Sequence, residues 1–260
     1  MSVRRDTLHR YVAVPTVSQK NRDNRDMMSE TQGTKNRPLN IAEYYLLACL
    51  DQHGKLLTQT HTVRVGIAGA VLTDLARRGC LYVTRDLVIV KSAADVVLEE
   101  PLASVLQIMK DAPENQDAEQ WINRFSRPSL MDAILESLQT RGDITVMTKR
   151  FLGLLPRTRY IPDESYGRMD MYVRMRATLL GRDTALDAST WPLVQLLYST
   201  DVLTRLFPGL QNKMVKERLE AFHAEAAQQE PAIAEAMQAV ENAIAESLTA
   251  TRGQATGMRG

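Results

Sequence analysis

Several basic residues occupy positions that helix capping does not explain. Arg85 lies between two short apolar runs, Lys149 and Arg150 follow a β-type run, and Arg157 and Arg159 flank a single threonine. A guanidinium group matches the oxygen geometry of phosphate, and binding residues are often carried by loops on a rigid scaffold. These residues are therefore candidates for phosphate contact, with a solvated surface as the alternative interpretation.

Three other arginines have a structural explanation. Arg77 and Arg78 precede Gly79, and Arg141 precedes Gly142. Each arginine thus falls in the last turn of a predicted helix, where a positive charge interacts favourably with the helix dipole. We expect these arginines to stabilise helix ends.

The remaining reactive side chains form no recognisable catalytic or metal-binding arrangement. The four histidines are far apart in the sequence: His9, His53, His61 and His223. Cys49 and Cys80 lie in apolar surroundings without metal-ligand spacing, and acid pairs such as Glu217 and Glu220 fit the solvated face of a helix. The sequence contains no nucleotide-binding loop, GxSxG elbow or kinase signature. It therefore predicts no metal, no cofactor and no enzymatic activity.

A helix-and-hairpin pattern that positions some of these residues occurs twice. Residues 72–90 (LTDLARRGCLYVTRDLVIV) and 135–155 (LESLQTRGDITVMTKRFLGLL) each contain the end of a helical pattern, an Arg-Gly stop and two short β-type runs. Glycine after the last helical residue is a common helix end, and a short connection between β-type runs favours a hairpin. Gly66 and Gly69 precede the first pattern without a phosphate-loop motif, so they predict close helix packing.

Capping residues and apolar spacing predict the other helices. Asn40 and Glu43 form the pattern of a capping box for a helix ending at Gly54, and Ser129 is the predicted N-cap of the helix before Gly142. Further helical patterns cover residues 97–112, 115–126, 164–181, 190–209, 212–229 and 231–248. The residues after 248 are expected to fray.

Composition favours a mainly α fold. Hydrophobic residues make up 44% of the 260 residues and aromatic residues only 5%, so the core must consist mostly of Leu, Val, Ile, Ala and Met. The net charge is +1, but residues 1–40 contain eight Lys/Arg and four Asp/Glu, a local excess of four positive charges. No apolar run approaches the roughly 20 residues that span a bilayer, and a signal peptide is not recognisable, which predicts a cytoplasmic protein.

Three segments follow from these patterns. Residues 1–38 are expected to be a disordered basic tail, residues 39–222 a helical domain, and residues 223–260 a C-terminal amphipathic helix with a frayed end.

Several motifs, in order along the chain, resemble those of the Golgi phosphoprotein 3 family. They are YYLLACLDQHGKLL, GIAGAVLTDLARRGCLYV, LVIV, WINRF, LESLQTRGDI and LLYSTDVLTRLF. The resemblance covers roughly residues 39–210. The resemblance implies a single globular domain with a central helical bundle and protruding β-hairpins. It also implies a non-enzymatic peripheral membrane adaptor, since the family's eukaryotic members bind phosphatidylinositol 4-phosphate, hold glycosyltransferase tails and self-associate through a hairpin.

The family's headgroup-binding residues do not carry over directly. Its tryptophan corresponds to Gln59, and its three arginines correspond to Ala68, Pro128 and Met131. A phosphomonoester bound without those cations would lose charge-assisted hydrogen bonds. We therefore expect the headgroup pocket to be largely lost.

Neighbouring arginines are the replacement candidates. Arg64, Arg124, Arg127 and Arg157 lie near the family positions and form the predicted lipid-phosphate site. The expected partners are an anionic phospholipid headgroup, a phosphoinositide by resemblance, together with a protein cargo and a second copy of the chain.

Two other classes of function fit parts of the sequence. A helix followed by a hairpin also occurs in winged-helix DNA-binding regulators, but the segment SLMDAILESLQT is acidic and would be repelled by phosphates in a DNA groove. Nucleic acid is therefore not an expected partner. A structural oligomer, or an enzyme without a known motif, is the third alternative.

Overall fold

The computed structural model describes residues 37–91, 96–114, 116–151, 155–163, 166–181 and 190–257, with backbone only at 149–151, 155–157, 166–167 and 252–257. The tail predicted for residues 1–38 lies almost entirely outside the described residues. Within the described part, helices are α1 (Ile41–Ala48), α2 (Thr60–Arg77), α3 (Leu102–Lys110), α4 (Ala118–Phe125), α5 (Pro128–Arg141), α6 (Tyr166–Leu180), α7 (Thr190–Ser199), α8 (Leu203–Leu206), α9 (Asn212–Gln229) and α10 (Pro231–Gly257). Strands are β1 (Leu81–Val83), β2 (Val88–Val90), β3 (Ile144–Phe151) and β4 (Leu155–Pro162).

The fold is mainly α, as predicted, with helix α2 at its centre. Every residue of α2 from Val65 to Ala76 is buried, which is typical of a helix surrounded by others. Helices α1, α4, α5, α7 and α10 all pack against it. The residues from Pro38 onward form one compact unit. The predicted boundary between residues 222 and 223 falls inside α9.

Close packing explains two glycines of α2. A Cβ atom on Gly66 would overlap the Tyr45 side chain, and one on Gly69 would lie 2.7 Å from Cδ1 of Ile244. Glycine therefore allows α1 and α10 to approach the backbone of α2 closely. The predicted packing role of both glycines is confirmed.

The predicted stops and caps were partly right. Asn40 and Glu43 form the capping box of α1, while Gly79 and Gly142 have positive φ angles of 73° and 78° after their helices. Ser129 is not the N-cap of α5, because Pro128 already occupies the first helical position and Arg127 is the N-cap. Proline is favoured there since the first helical N–H has no partner within the helix.

Several helix boundaries differ from the sequence prediction, including that of α3, which begins at Leu102 and not at residue 97. Helix α1 ends at Ala48, well before Gly54, because residues 51–55 form a turn around Asp51. The predicted helix over residues 190–209 is divided into α7 and α8 at Asp201, whose φ angle of 57° is incompatible with a continuous helix. Helix α10 continues to Gly257, beyond the predicted end at Leu248.

Both hairpins form, but the second differs from the prediction: Phe151, expected to begin the second strand, ends β3, and β4 continues to Pro162. Strand β1 pairs with β2, and β3 pairs with β4 in an antiparallel register from Ile144 opposite Pro162 to Phe151 opposite Leu155. Lys149 and Arg157 are therefore paired strand residues and not loop residues, as the sequence had suggested. No helix in the described part is long and apolar enough to cross a membrane.

Candidate functional site

Three helices define one end of the bundle. The backbone N–H of Ile41, at the start of α1, donates to Oδ2 of Asp74 near the end of α2 (3.2 Å). Oγ of Ser137, in the second half of α5, donates to Oε1 of Glu43 at the start of α1 (2.6 Å). Gly66, earlier in α2, meets Tyr45, further along α1, so α2 runs antiparallel to α1 and its N-terminus lies towards the end of α1.

The second hairpin contacts the loop that follows α1. Strand β3 begins just after α5, and Tyr160 of β4 packs its backbone against Gly54 in the loop that follows α1. Nη1 of Arg159 donates to the carbonyl of His53 in that loop (3.3 Å). The strand residues beyond this contact, including Arg157, continue away from the hairpin base by about 3.3 Å per residue. We call the four predicted residues Arg64, Arg124, Arg127 and Arg157 the basic end.

Helix α4 holds Arg124 through its buried aromatic face. Asp117 and Gln120 form a capping box at the start of α4, and Trp121 stacks on Phe125 with ring centroids 5.3 Å apart. The Arg124 guanidinium lies 5.1 Å from the centroid of the Trp121 ring. This cation–π contact orients an exposed charge without neutralising it.

Arg127 and Arg64 are positioned by the neighbouring helices. Arg127 is the exposed N-cap residue of α5 and supplies no side-chain cap to that helix. Arg64, in the first half of α2, is partly buried, and its Nε is buried without a hydrogen-bond partner in the described part. Helix α2, which carries Arg64, packs against both α4 and α5. Arg124 lies in α4, and Arg127 directly precedes the first residue of α5.

The structure brings the four residues together only in part. Arg124 and Arg127 flank the junction between α4 and α5. Arg157 lies in β4 opposite Lys149, but its side chain is outside the described residues. Among the described cavities, none has any of the four arginines in its lining.

Arg78 and Arg141, the arginines directly before the two glycine stops, form ion pairs with acids. Nη1 and Nη2 of Arg78 contact the two carboxylate oxygens of Glu99 (3.1 and 3.0 Å), and Nε contacts Asp74 (3.2 Å). Burial lowers the pKa of Arg78, but the nearby carboxylates outweigh it and raise the pKa overall. Arg141 pairs with Asp143 at 2.7 Å. In the described part, no carboxylate pairs with Arg64, Arg124 or Arg127.

The positions that correspond to the family's headgroup residues are occupied differently. Gln59 is the exposed N-cap of α2, and Ala68 is fully buried in the core. Pro128 begins α5 and is exposed, whereas Met131 packs partly buried against the core. None of these four side chains carries a charge.

The two cysteines are buried, and the potential metal ligands do not cluster among the described residues. Cys49 and Cys80 are buried free thiols, and burial raises the pKa of Cys49 to about 12. Among the described residues, no cluster of three or more His, Cys, Asp or Glu could hold a metal ion.

Sequence reasoning missed one anchored arginine. Nη2 of Arg168 in α6 donates to the carbonyl of Leu50 (2.6 Å), which is 118 positions away in the sequence. The only local signal is Tyr172 one turn later, whose hydroxyl also accepts from this arginine (3.3 Å).

A comparison with protein families gives one match over most of the chain. The family model of Golgi phosphoprotein 3 (GPP34) matches residues 41–243. This region begins at the first residue of α1 and ends within α10. No curated protein matches the chain.

Proposed function

Because the chain belongs to the Golgi phosphoprotein 3 family, we propose that it is a non-enzymatic peripheral membrane protein of the adaptor kind. In this proposal the basic end binds the headgroups of anionic phospholipids. A protein cargo and a second copy of the chain are further partners, by analogy with the family.

The observation that carries the proposal is the absence of carboxylate partners around three arginines. Arg64, Arg124 and Arg127 have none in the described part, whereas Arg78 and Arg141 are paired with acids. Arg124 and Arg127 are exposed, and Arg64 is partly buried. The exposed part of a guanidinium without an internal partner is available to phosphate oxygens, with which it forms charge-assisted and often bidentate hydrogen bonds.

The N-terminus of α5 supports the same ligand. Helix α5 has no side-chain cap and no acidic residue in its first turn. Its first backbone N–H groups and the positive end of the helix dipole therefore favour an anion beside Arg127. This contribution adds to that of the arginine side chains.

We propose that headgroup recognition differs from that of the family. The residues Gln59, Ala68, Pro128 and Met131 supply no charge where the family has a tryptophan and three arginines. A doubly charged phosphomonoester would therefore gain less than in the family site. Binding at the basic end should depend more on total negative surface charge than on a phosphoinositide.

A DNA-binding function is less well supported by the surface of α5. Asp132 and Glu136 are exposed on this helix, and both would face phosphates if α5 lay in a groove. Arg141, at the other end of the helix, is buried and paired with Asp143.

Vesicle flotation tests the proposal. The full-length protein would be floated with phosphatidylcholine vesicles that contain phosphatidylserine, phosphatidylinositol 4-phosphate or no anionic lipid. We expect binding to both anionic vesicles. The Arg124→Ala/Arg127→Ala variant should bind about 10- to 30-fold more weakly, since each basic residue near an anionic surface contributes roughly 1 kcal/mol.

A control with the same change in charge is available. Arg85, a phosphate candidate in the sequence, lies in the β1–β2 hairpin and borders a cavity whose lining also includes four acids, Asp86, Asp117, Glu119 and Glu246. Arg176 is exposed on α6. The Arg85→Ala/Arg176→Ala variant should retain vesicle binding. Equal binding by both double variants would overturn the proposal. A duplex-DNA shift at matched salt that exceeds vesicle binding would favour the DNA-binding alternative.

A further inference from the structure

A cavity of about 560 Å³ has none of the residues Arg64, Arg124 and Arg127 in its described lining. It is open to solvent on one side and is bordered by the loop after α1, the first half of α6 and helix α8. Its walls include Leu50, Leu57, Arg168, Tyr172, Arg205 and Leu206. The volume falls within the range of small-molecule sites, which is roughly 300–1,000 Å³. None of the positions that correspond to the family's headgroup residues lines it.

The charge of the cavity favours an anion. Arg168 and Arg205 both line it, and neither pairs with a carboxylate in the part of the chain that the structure describes. Asp51 is the acidic residue in the lining, but its Oδ1 accepts the backbone N–H groups of His53 and Lys55, both at 2.8 Å. This carboxylate keeps its charge but is held within its own loop, so one acid stands against two arginines and the lining has an excess of one positive charge.

Arg168 is held in place before any ligand arrives. Its Nη2 donates to the Leu50 carbonyl and the Tyr172 hydroxyl, and its guanidinium lies 5.5 Å from the centroid of the Tyr172 ring. Its Nε is buried and has no hydrogen-bond partner among the described atoms. A fixed donor group with unused N–H bonds binds an anion at a lower entropic cost than a mobile one.

The rest of the lining combines two polar loop residues, Gln52 and His53, with apolar side chains. Leu50 is buried, and Leu57 and Leu206 pack against the hydrophobic core from its edge. Tyr172 packs edge-on against Phe207, with ring centroids 6.3 Å apart, so its position is also fixed. Met169 borders the opening with 66% of its surface exposed. An inorganic anion would leave these walls unfilled.

We propose that this cavity binds a small amphipathic anion, a phosphate or carboxylate head that carries one apolar chain. Arg168 and Arg205 contact the head, while Leu50, Leu57 and Leu206 surround the chain. The head and chain chemistry is shared by soluble acyl or alkyl anions and by single lipids drawn from a membrane. The site is independent of vesicle binding by the basic end.

Isothermal titration calorimetry with octyl phosphate tests the cavity. We expect saturable binding by the full-length protein, at least tenfold tighter than that of inorganic phosphate or of 1-octanol. Each of these probes reproduces only half of the ligand. Equal affinity for octyl phosphate and inorganic phosphate would overturn the proposal, as would no detectable binding of octyl phosphate.

The Arg205→Gln variant identifies the site, because Arg205 is exposed and its replacement leaves the fold intact. We expect about tenfold weaker binding of octyl phosphate, the loss of one charge-assisted hydrogen bond. Arg176→Gln, an exposed change on α6 outside the cavity, should leave the affinity unaltered. Equal affinity of Arg205→Gln and the unmodified protein would overturn the assignment.

A second arm distinguishes the two sources of ligand. The Arg205→Gln variant would be tested with phosphatidylcholine vesicles that contain phosphatidic acid. A lipid drawn from a membrane predicts weaker vesicle binding by this variant, whereas a soluble ligand predicts weaker binding of octyl phosphate only. Both results support the site. Loss of vesicle binding in Arg124→Ala/Arg127→Ala, with octyl phosphate affinity retained, would separate it from the basic end.

Discussion

Gly66 of α2 and Tyr45 of α1 lie in direct contact, so that a methyl group on Gly66 would overlap the Tyr45 hydroxyl oxygen. Tyr45 cannot move away easily, because it is fully buried and its hydroxyl donates to Oγ1 of Thr200 (2.9 Å). This contact determines how closely the first two helices pack.

We expect Gly66→Ala to destabilise the protein despite the higher helix propensity of alanine. Overpacking of a core costs typically 1–3 kcal/mol, which exceeds the gain of about 1 kcal/mol from propensity. Urea unfolding would measure the difference. Gly209→Ala is the control, since a Cβ atom there has no neighbour within 4 Å. Equal stability of the two variants would contradict the packing argument.

The Ile244→Ala variant tests whether α10 is part of the core. Ile244 is fully buried, and its Cδ1 lies where a side chain on Gly69 would be. Removing a buried isoleucine side chain costs about 2–5 kcal/mol in the free energy of unfolding. Val173→Ala, where 58% of the side chain is exposed, should change it by less than about 0.5 kcal/mol. A small effect of Ile244→Ala would indicate that α10 is only loosely attached.

The thiol of Cys49 predicts a dependence of stability on alkaline pH. Burial raises its pKa from 9.0 to about 12, and this effect outweighs the opposing hydrogen bond with Tyr45. The unfolded thiol ionises above about pH 9, while the folded thiol stays protonated to about pH 12. This stabilising contribution is therefore complete below pH 9 and is lost as the pH rises to 12, by about 1.4 kcal/mol per pH unit.

Urea unfolding of Cys49→Ala at a series of pH values isolates this contribution. Burial also raises the pKa of Tyr45. Tyr45 is present in both proteins, so its own titration affects both. The difference in unfolding free energy between the two proteins should therefore shrink between about pH 9 and pH 10. A difference that stays constant over this range would show that the Cys49 thiol does not contribute.

The ion pairs of Arg78 predict that replacing this residue destabilises the protein more than replacing Arg77. Arg78→Leu removes both Glu99 contacts and leaves Asp74, whose side chain is only 5% exposed, without its cation. We expect roughly 1–3 kcal/mol of destabilisation, because Arg78 itself is partly exposed to solvent. Arg77→Leu, which removes the preceding charge, should cost less than about 0.5 kcal/mol. Thermal unfolding would measure both variants. A loss of stability in Arg78→Leu that is no larger than that in Arg77→Leu would show that the ion pairs do not stabilise the fold.

Salt should weaken vesicle binding through the basic end. Raising the ionic strength from about 0.05 M to about 0.15 M shortens the screening length, so we expect a several-fold loss of affinity for phosphatidylserine vesicles. The Arg124→Ala/Arg127→Ala variant should show a smaller salt dependence, whereas Arg85→Ala/Arg176→Ala should match the unmodified protein. Identical salt dependence in all three proteins would exclude a role for these two arginines.

Local signals in the sequence predicted much of the secondary structure. The capping box of Asn40 and Glu43 and the helix ends before Gly79 and Gly142 form as expected, because each involves residues within a few positions of one another. The cap predicted at Ser129 was wrong since Pro128 can begin a helix one position earlier. The break at Asp201 was missed because aspartate at positive φ has no unique sequence pattern.

The candidate site depended much more on distant contacts. The sequence suggested Arg64, Arg124, Arg127 and Arg157 as candidates but contained no information on which arginines have acidic partners. Arg78 meets Glu99 across 21 positions, and Arg168 meets Leu50 across 118. The cavity beside Arg168 could not be predicted, because its walls come from three separate segments of the chain.

By itself, the sequence determined the family, the mainly α class, the glycine-closed helices and the hairpins that follow them, since these depend on local spacing and on motif order. Only the tertiary structure decided that Gly66 contacts the Tyr45 side chain and that Arg78 forms an ion pair with Glu99. It alone placed Arg168 and Arg205 in one cavity. Burial and ionic partners depend on which segments pack together, and packing brings residues into contact irrespective of their separation along the chain.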